Sequence, residues 1–170
     1  VNAFSGCNDL LYIYYAGTEL ELYGTVNGAV CCLDSLNHII EYENFSKAIE
    51  RVSLFLEKDR LFIFDMNTEY KHRNILGNNT FNFDEEEADC IWQNTLDESK
   101  KRTRVSINIK DKQSGEEYSE VFYECFYSME EIEKMFKNAG LTICRLADGE
   151  TYGEITEESQ RYLFMVKKEQ

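Results

Sequence analysis

Two short apolar runs, Val26 to Leu33 and Leu61 to Phe64, flank a stretch in which Phe45, Ala48, Ile49, Val52, Phe55 and Leu56 recur at helical spacing. Runs of this length read as buried strands, and the 3.6-residue period between them reads as an amphipathic helix with Lys47, Glu50 and Arg51 toward water. Strand, helix, strand in that order makes a βαβ unit, which commits the chain to an α/β architecture. A further run, Leu10 to Tyr15, separated from Val26 by Gly24 and Thr25, reads as another buried strand.

The middle of the chain changes period. Cys90 to Leu96, Thr103 to Ile109 and Tyr118 to Tyr127 alternate, with Val105, Ile107 and Ile109 on one face and a turn at Ser114-Gly115. Alternation predicts an antiparallel meander inserted at residues 79–127, expected to serve as a substrate lid, with the acidic run Asp84 to Glu87 on a connection ahead of it. Asn78-Asn79 reads as a turn. Ser128 followed by Glu131 is a capping-box pattern; Met129, Ile132, Met135, Phe136 and Ala139 supply the apolar face, and Gly140 the stop. Leu141 to Leu146 and Tyr162 to Val166 read as closing strands joined by a polar loop around Gly149 and Gly153.

With 43% hydrophobic residues over 170, no proline, no repeat and no low-complexity tract, the chain is expected to fold as one domain. No apolar run approaches the roughly 18 residues a membrane helix needs. No basic, apolar, cleavable leader opens the sequence, so the cytoplasm is the expected location. Acidic residues outnumber basic ones 32 to 18, a net charge of −14 that repels phosphate backbones and argues against a nucleic-acid partner. Six cysteines without a C-x-x-C and only two histidines give no zinc-type spacing, so no metal site is expected. Cys31 and Cys32 read as small core residues.

Four ordered blocks, AVCCLDSLNHI (29–39), LFIFDMNTEYK (61–71), ILGNNTF (75–81) and IWQN (91–94), resemble small bacterial class I S-adenosylmethionine-dependent methyltransferases. The resemblance continues through the capped helix and Ser159-Gln160-Arg161, covering roughly residues 10 to 168. It implies a partial Rossmann-like, mostly parallel sheet with the antiparallel meander inserted, and a ligand crevice at the carboxyl ends of the strands. Val26 to Leu33 resembles the family's fourth strand, which assigns Leu33, Asp34, Ser35 and Asn37 to the cofactor. Leu61 to Phe64 resembles the fifth, so Asp65, Asn67 and Tyr70 belong to the substrate side, with Trp92 and Glu124 of the insert. Trp92 is equally readable as a core anchor of that insert, and Asp34 and Asp65 as loop starters or caps. His38 carries no assigned role, and no catalytic residue is assigned. Glu124 alternates with Phe122 and Phe126, so if its face is buried it requires a partner.

The departures from the family concern the cofactor. No glycine-rich loop follows a first strand, since Ser5-Gly6 and Gly24 do not resemble one. The ribose-binding carboxylate has no counterpart, its segment being expected upstream of residue 1. Ala16 stands where an adenine-side aspartate is expected. Two readings follow. One is a methyltransferase of a small-molecule acceptor, represented by its C-terminal two-thirds and unable to hold the cofactor alone. The other is a non-catalytic remnant serving as an oligomeric or binding module. Without the family's first strand, the edge of Val26 to Leu33 is expected either to accept Leu10 to Tyr15 or to pair two chains as a homodimer.

Overall fold

The computed structural model describes residues 11–12 and 20–169. Its main sheet has five strands in the order β1-β2-β3-β9-β8: β1 Leu11–Tyr12, β2 Val26–Cys31, β3 Leu56–Asn67, β8 Leu141–Asp148 and β9 Arg161–Lys168. Strands β1, β2 and β3 run parallel, and β9 enters antiparallel to both β3 and β8. Leu11 and Tyr12 pair with Ala29 and Val30, so this short segment does occupy the edge of β2. The rest of Leu10 to Tyr15, Ser5-Gly6 and Ala16 lie outside the described residues.

Helix α1, Tyr42–Phe55, and helix α2, Met129–Asn138, cover one face of that sheet. In α1 the first four positions of the predicted stripe are realised, with Phe45, Ala48, Ile49 and Val52 buried and Lys47 and Glu50 facing water, whereas Phe55 is half-buried and Leu56, read as helical, instead opens β3. In α2 the Ser128 hydroxyl accepts from the Glu131 amide and the Glu131 carboxylate accepts from the Ser128 amide, completing the capping box. Gly140 stops the helix with φ 68°, a left-handed conformation that glycine adopts without steric cost. Beneath both helices Phe62, Phe64 and Phe164 stack with ring centroids 4.7 and 4.8 Å apart, and Phe136 meets Phe64 edge-on. Each such ring contributes about 1.5–3 kcal/mol through burial.

Residues 80–125 form a separate four-stranded antiparallel sheet: β4 Thr80–Asp84, β5 Ala88–Asp97, β6 Arg102–Asp111 and β7 Glu117–Cys125. The alternation predicted three of these strands. The fourth, β4, is too short and exposed to carry a strong period and enters through Asn78 at φ 54°. Val105 is fully buried and Ile109 is 39% exposed, so the face predicted from their spacing runs from packed to open along one strand.

Three expectations are corrected. The run Val26 to Leu33 stops being a strand at Cys31, because Leu33 and Asp34 adopt left-handed φ of 61° and 48° to turn the chain into a 3-10 turn, Ser35–His38. Cys32 is consequently exposed and not a core residue, whereas Cys31 is buried. Leu61, expected in a buried strand, is 39% exposed, because Glu57 to Arg60 loop out and leave it at the start of the regular pairing with β2. Among the described residues no helix is long and apolar enough to cross a membrane.

Candidate functional site

The carboxyl ends of β2 and β3 meet the first residue of β9 and the last residues of β7. Along β3 the side-chain period of two sends Phe62, Phe64 and Met66 into the core and Asp65 and Asn67 to the other face. Asn67 lies directly opposite Arg161 in the β3–β9 ladder. From there the Arg161 guanidinium donates to both Asp65 and Asp34, with Nη2 3.0 Å from Asp34 Oδ1. Burial works against the Arg161 charge, but the two carboxylates more than offset it and its pKa is raised. The backbone turn at Asp34 also aims its own amide at Asp65, 3.4 Å away.

Asn67 is the hub. Its Nδ2 donates to Asp34 Oδ2 at 3.0 Å and to Glu124 Oε2 at 3.3 Å, while its Oδ1 accepts from Lys71 Nζ at 2.9 Å. Glu124, on β7, is 4% exposed. Burial, then repulsion from Asp34, raises its pKa above the ordinary carboxylate value. Its second neighbour is His72, from a π-helical turn at Lys71–Leu76, with Nε2 at 3.9 Å. His72 is wholly buried with Nδ1 2.9 Å from Thr103 Oγ1, and burial followed by the nearby Lys71 charge lowers its pKa to about 4. Burial, followed by the Arg161 charge, likewise lowers the Lys71 pKa.

Of the residues assigned from sequence, Asp34, Asp65, Asn67 and Glu124 converge in this network. Asn37 is next to it but sealed: it is 0% exposed, its Nδ2 donates to the carbonyls of Asn67 and Cys125, and its Oδ1 accepts from the Asn67 amide. A carboxamide so committed fastens the 3-10 turn to β3 and to the end of β7, and at 0% exposure it presents no surface to a ligand in this arrangement. Leu33 projects into solvent at 77% exposure, and the exposed Ser35 spends its hydroxyl on the Cys32 carbonyl. Trp92 is held inside the insert, its Nε1 on Asn94 Oδ1 at 2.7 Å and its ring edge-on to Phe81. Tyr70 is half-buried at the head of the π-helical turn, its carbonyl accepting from Asn74. Arg161, Lys71 and His72 were not assigned from sequence. Arg161 and Lys71 each closed a recognisable block, but nothing local marks their partners.

Gly149 makes room for Arg161. A Cβ there would lie 2.6 Å from Arg161 Cγ, and the Gly149 amide donates to the Arg161 carbonyl at 2.8 Å. The loop before β9 therefore needs glycine at this close approach.

No protein-family model matches the chain. A Geobacillus sp. (strain WCH70) protein named "Putative methyltransferase GWCH70_2453" is 26% identical over 154 residues, covering 89% of this chain and 62% of the relative. "Putative methyltransferase YqeM" of Bacillus subtilis (strain 168) is 24% identical over 147 residues, covering 85% of this chain and 60% of the relative. The chain thus spans about three-fifths of the length of the curated relatives it matches. Among solved structures, an S-adenosylmethionine-dependent methyltransferase from Clostridium acetobutylicum superposes with TM-score 0.84 at 29% identity, over 91% of this chain and 63% of that one.

Proposed function

The chain is a relative of the class I S-adenosylmethionine-dependent methyltransferases, and from that premise we propose that it forms the acceptor side of a methyl-transfer site for a small molecule. The observation that carries this reading is the convergence of Asp34, Asp65 and Glu124 at the strand ends, held by Arg161 and Asn67. Carboxylates fixed in this way accept hydrogen bonds from an amine or hydroxyl acceptor and orient its lone pair. Glu124, whose proton affinity is raised by burial, is the group suited to receive the acceptor's proton at its carboxylate. Positioning and a partly dry pocket are the main contributions asked of the protein, because the bound cofactor itself supplies an activated methyl group.

The residues assigned to the cofactor fit it only in part. Leu33 offers an exposed apolar wall, Asp34 is already engaged by Arg161 and Asn67, and Ser35 and Asn37 are spent on backbone groups. They do not by themselves make a cradle. The sequence also lacks three contacts usual in the family: a glycine loop, a ribose carboxylate and an adenine-side aspartate. Each charge-assisted hydrogen bond lost costs about 1.5–3 kcal/mol, so the three together weaken binding by several powers of ten. Isothermal titration of the chain with S-adenosylmethionine is expected to show no saturable binding at micromolar concentration and no turnover. A micromolar dissociation constant would overturn the cofactor part of the proposal. Adding in trans the part of a relative that this chain does not span is expected to restore binding, and failure to do so would count against the enzyme reading.

A further inference from the structure

Asp34 at the end of β2, His38 at the end of the 3-10 turn and Glu124 on β7 bring one ligand-capable atom each to within 4.8 Å of one another. Carboxylate, imidazole and carboxylate together are a donor set suited to a first-row divalent cation. Three atoms bonded to one ion at about 2.1 Å can all be at most about 3.6 Å apart, so the three groups need to draw in by up to about 1 Å.

Two features around them behave as an outer shell. Asn67 Nδ2 donates to both carboxylates, at 3.0 and 3.3 Å, turning them toward each other. The Phe122 ring packs against His38 at 5.2 Å and limits its rotation. Hydrogen-bonded ligands of this kind are oriented before an ion arrives.

The charge balance points the same way. Arg161 serves Asp34 and Asp65, and the Lys71 ammonium is bonded to Asn67 Oδ1. The hydrogen bond that Glu124 receives comes from a neutral amide. An independent observation lies behind it. His72, 0% exposed, makes no hydrogen bond at Nε2, and that atom faces Glu124 Oε2 at 3.9 Å. The distance exceeds a hydrogen bond, so this buried nitrogen is aimed at the Glu124 carboxylate without a direct partner. We propose that Asp34, His38 and Glu124 form a divalent-cation site, with the unpartnered Nε2 of buried His72 facing it at Glu124. The site stands independently of cofactor binding.

The test is titration calorimetry of the full chain, stripped with a chelator and returned to chelator-free buffer, using Mn²⁺ as the principal probe. Mn²⁺ is chosen because the exposed thiols of Cys32 and Cys144 compete for softer ions; Zn²⁺ is added to a Cys32→Ser, Cys144→Ser double variant. One site per chain is expected, tighter for Zn²⁺ than for Mn²⁺. Glu124→Gln, which preserves shape, and His38→Asn are each expected to weaken binding at least tenfold, with circular dichroism and urea midpoints verifying that both variants fold. Co²⁺ loading should give a visible absorption band that changes in folded His38→Asn. Absence of saturable one-to-one binding overturns the proposal. So does binding that persists in both folded variants but disappears when Asp84, Glu85, Glu86 and Glu87 are neutralised.

Discussion

Replacing Asn37 by alanine withdraws one carboxamide from three backbone groups at once. The Asn67 amide loses its acceptor at 2.9 Å, and the carbonyls of Asn67 and Cys125 lose donors at 3.1 and 2.9 Å. All three bonds are buried, so each orphaned group forfeits about 1–3 kcal/mol. The simple sum overstates the cost, because water entering the vacated space can satisfy one or two of them; about 3–5 kcal/mol is expected. Against a typical total stability of about 5–15 kcal/mol this is a large fraction. With a urea m-value of about 2 kcal/mol/M, the midpoint should fall by about 1.5–2.5 M at nearly constant m. Asn37→Asp should be no milder, since its second oxygen would face two carbonyls. A midpoint for Asn37→Ala within 0.5 M of the parent, by the same order-of-magnitude reckoning, would refute the staple and return Asn37 to the pool of ligand contacts.

With a chelator present, stability should fall between pH 6.5 and about 4, because unfolded His72 takes up a proton that the folded site refuses; the folded pKa is lowered from 6.5 to about 4. That contribution is full above pH 6.5, declines by about 1.4 kcal/mol per pH unit through the window, and totals about 2–3 kcal/mol. His72→Gln should lose this part of the slope, and identical urea-midpoint profiles for parent and variant would count against it. Gly149→Ala forces Arg161 to shift from a contact of 2.6 Å, which should cost about 1–3 kcal/mol; an unchanged thermal midpoint, where a drop of about 5 °C is expected, would contradict the close approach. Amide exchange in the insert should be slow at Asn94, Thr103 and Glu124, all buried, and faster at Phe83, Ile109 and Tyr118, which are 45%, 39% and 56% exposed. Uniform protection along these strands would refute that gradient.

What could be read from the sequence is what depends on neighbours along the chain. The capping box, the buried stripe of α1, the stop at Gly140 and three strands of the insert all follow from short-range pattern, and all are present. Strand-end carboxylates are readable for the same reason, since an acidic residue closing an apolar run sits at the carboxyl end of its strand. Their partners are not. Arg161 reaches Asp34 and Asp65 across 127 and 96 residues, and Asn37 reaches Cys125 across 88. No periodicity encodes such contacts, so neither the reach of Arg161 nor the backbone bonds of Asn37 can be read from the sequence. Cys32 was misplaced because apolarity alone does not reveal a chain that turns left-handed one residue later. The His38 alignment with Asp34 and Glu124 has no sequence spacing for the same reason: the three side chains meet only in space.

These long-range bonds also determine what the insert can do. Its root is tied to the main sheet by several buried or half-buried attachments from different elements. Asn37 holds the Cys125 carbonyl, Asn67 holds Glu124, and Thr103 shares a hydrogen with His72. Arg102 reaches Glu41 and the Ile40 carbonyl, and Lys101 grips Glu131 on α2 at 2.9 Å. Hinging the insert about this root would break several of these bonds together, including buried ones that are costly to leave unmade. Its outer half has no such ties among the described residues: Phe83, Ile109 and Tyr118 stand in the open, and the strands there are held chiefly by their own ladder. Any closure over the crevice therefore falls to bending of the outer ribbon. Glu124, at the tied end, and His72, on the π-helical turn packed against it, are held beside Asp34 and Asp65 by bonds that bending of the outer ribbon would leave intact.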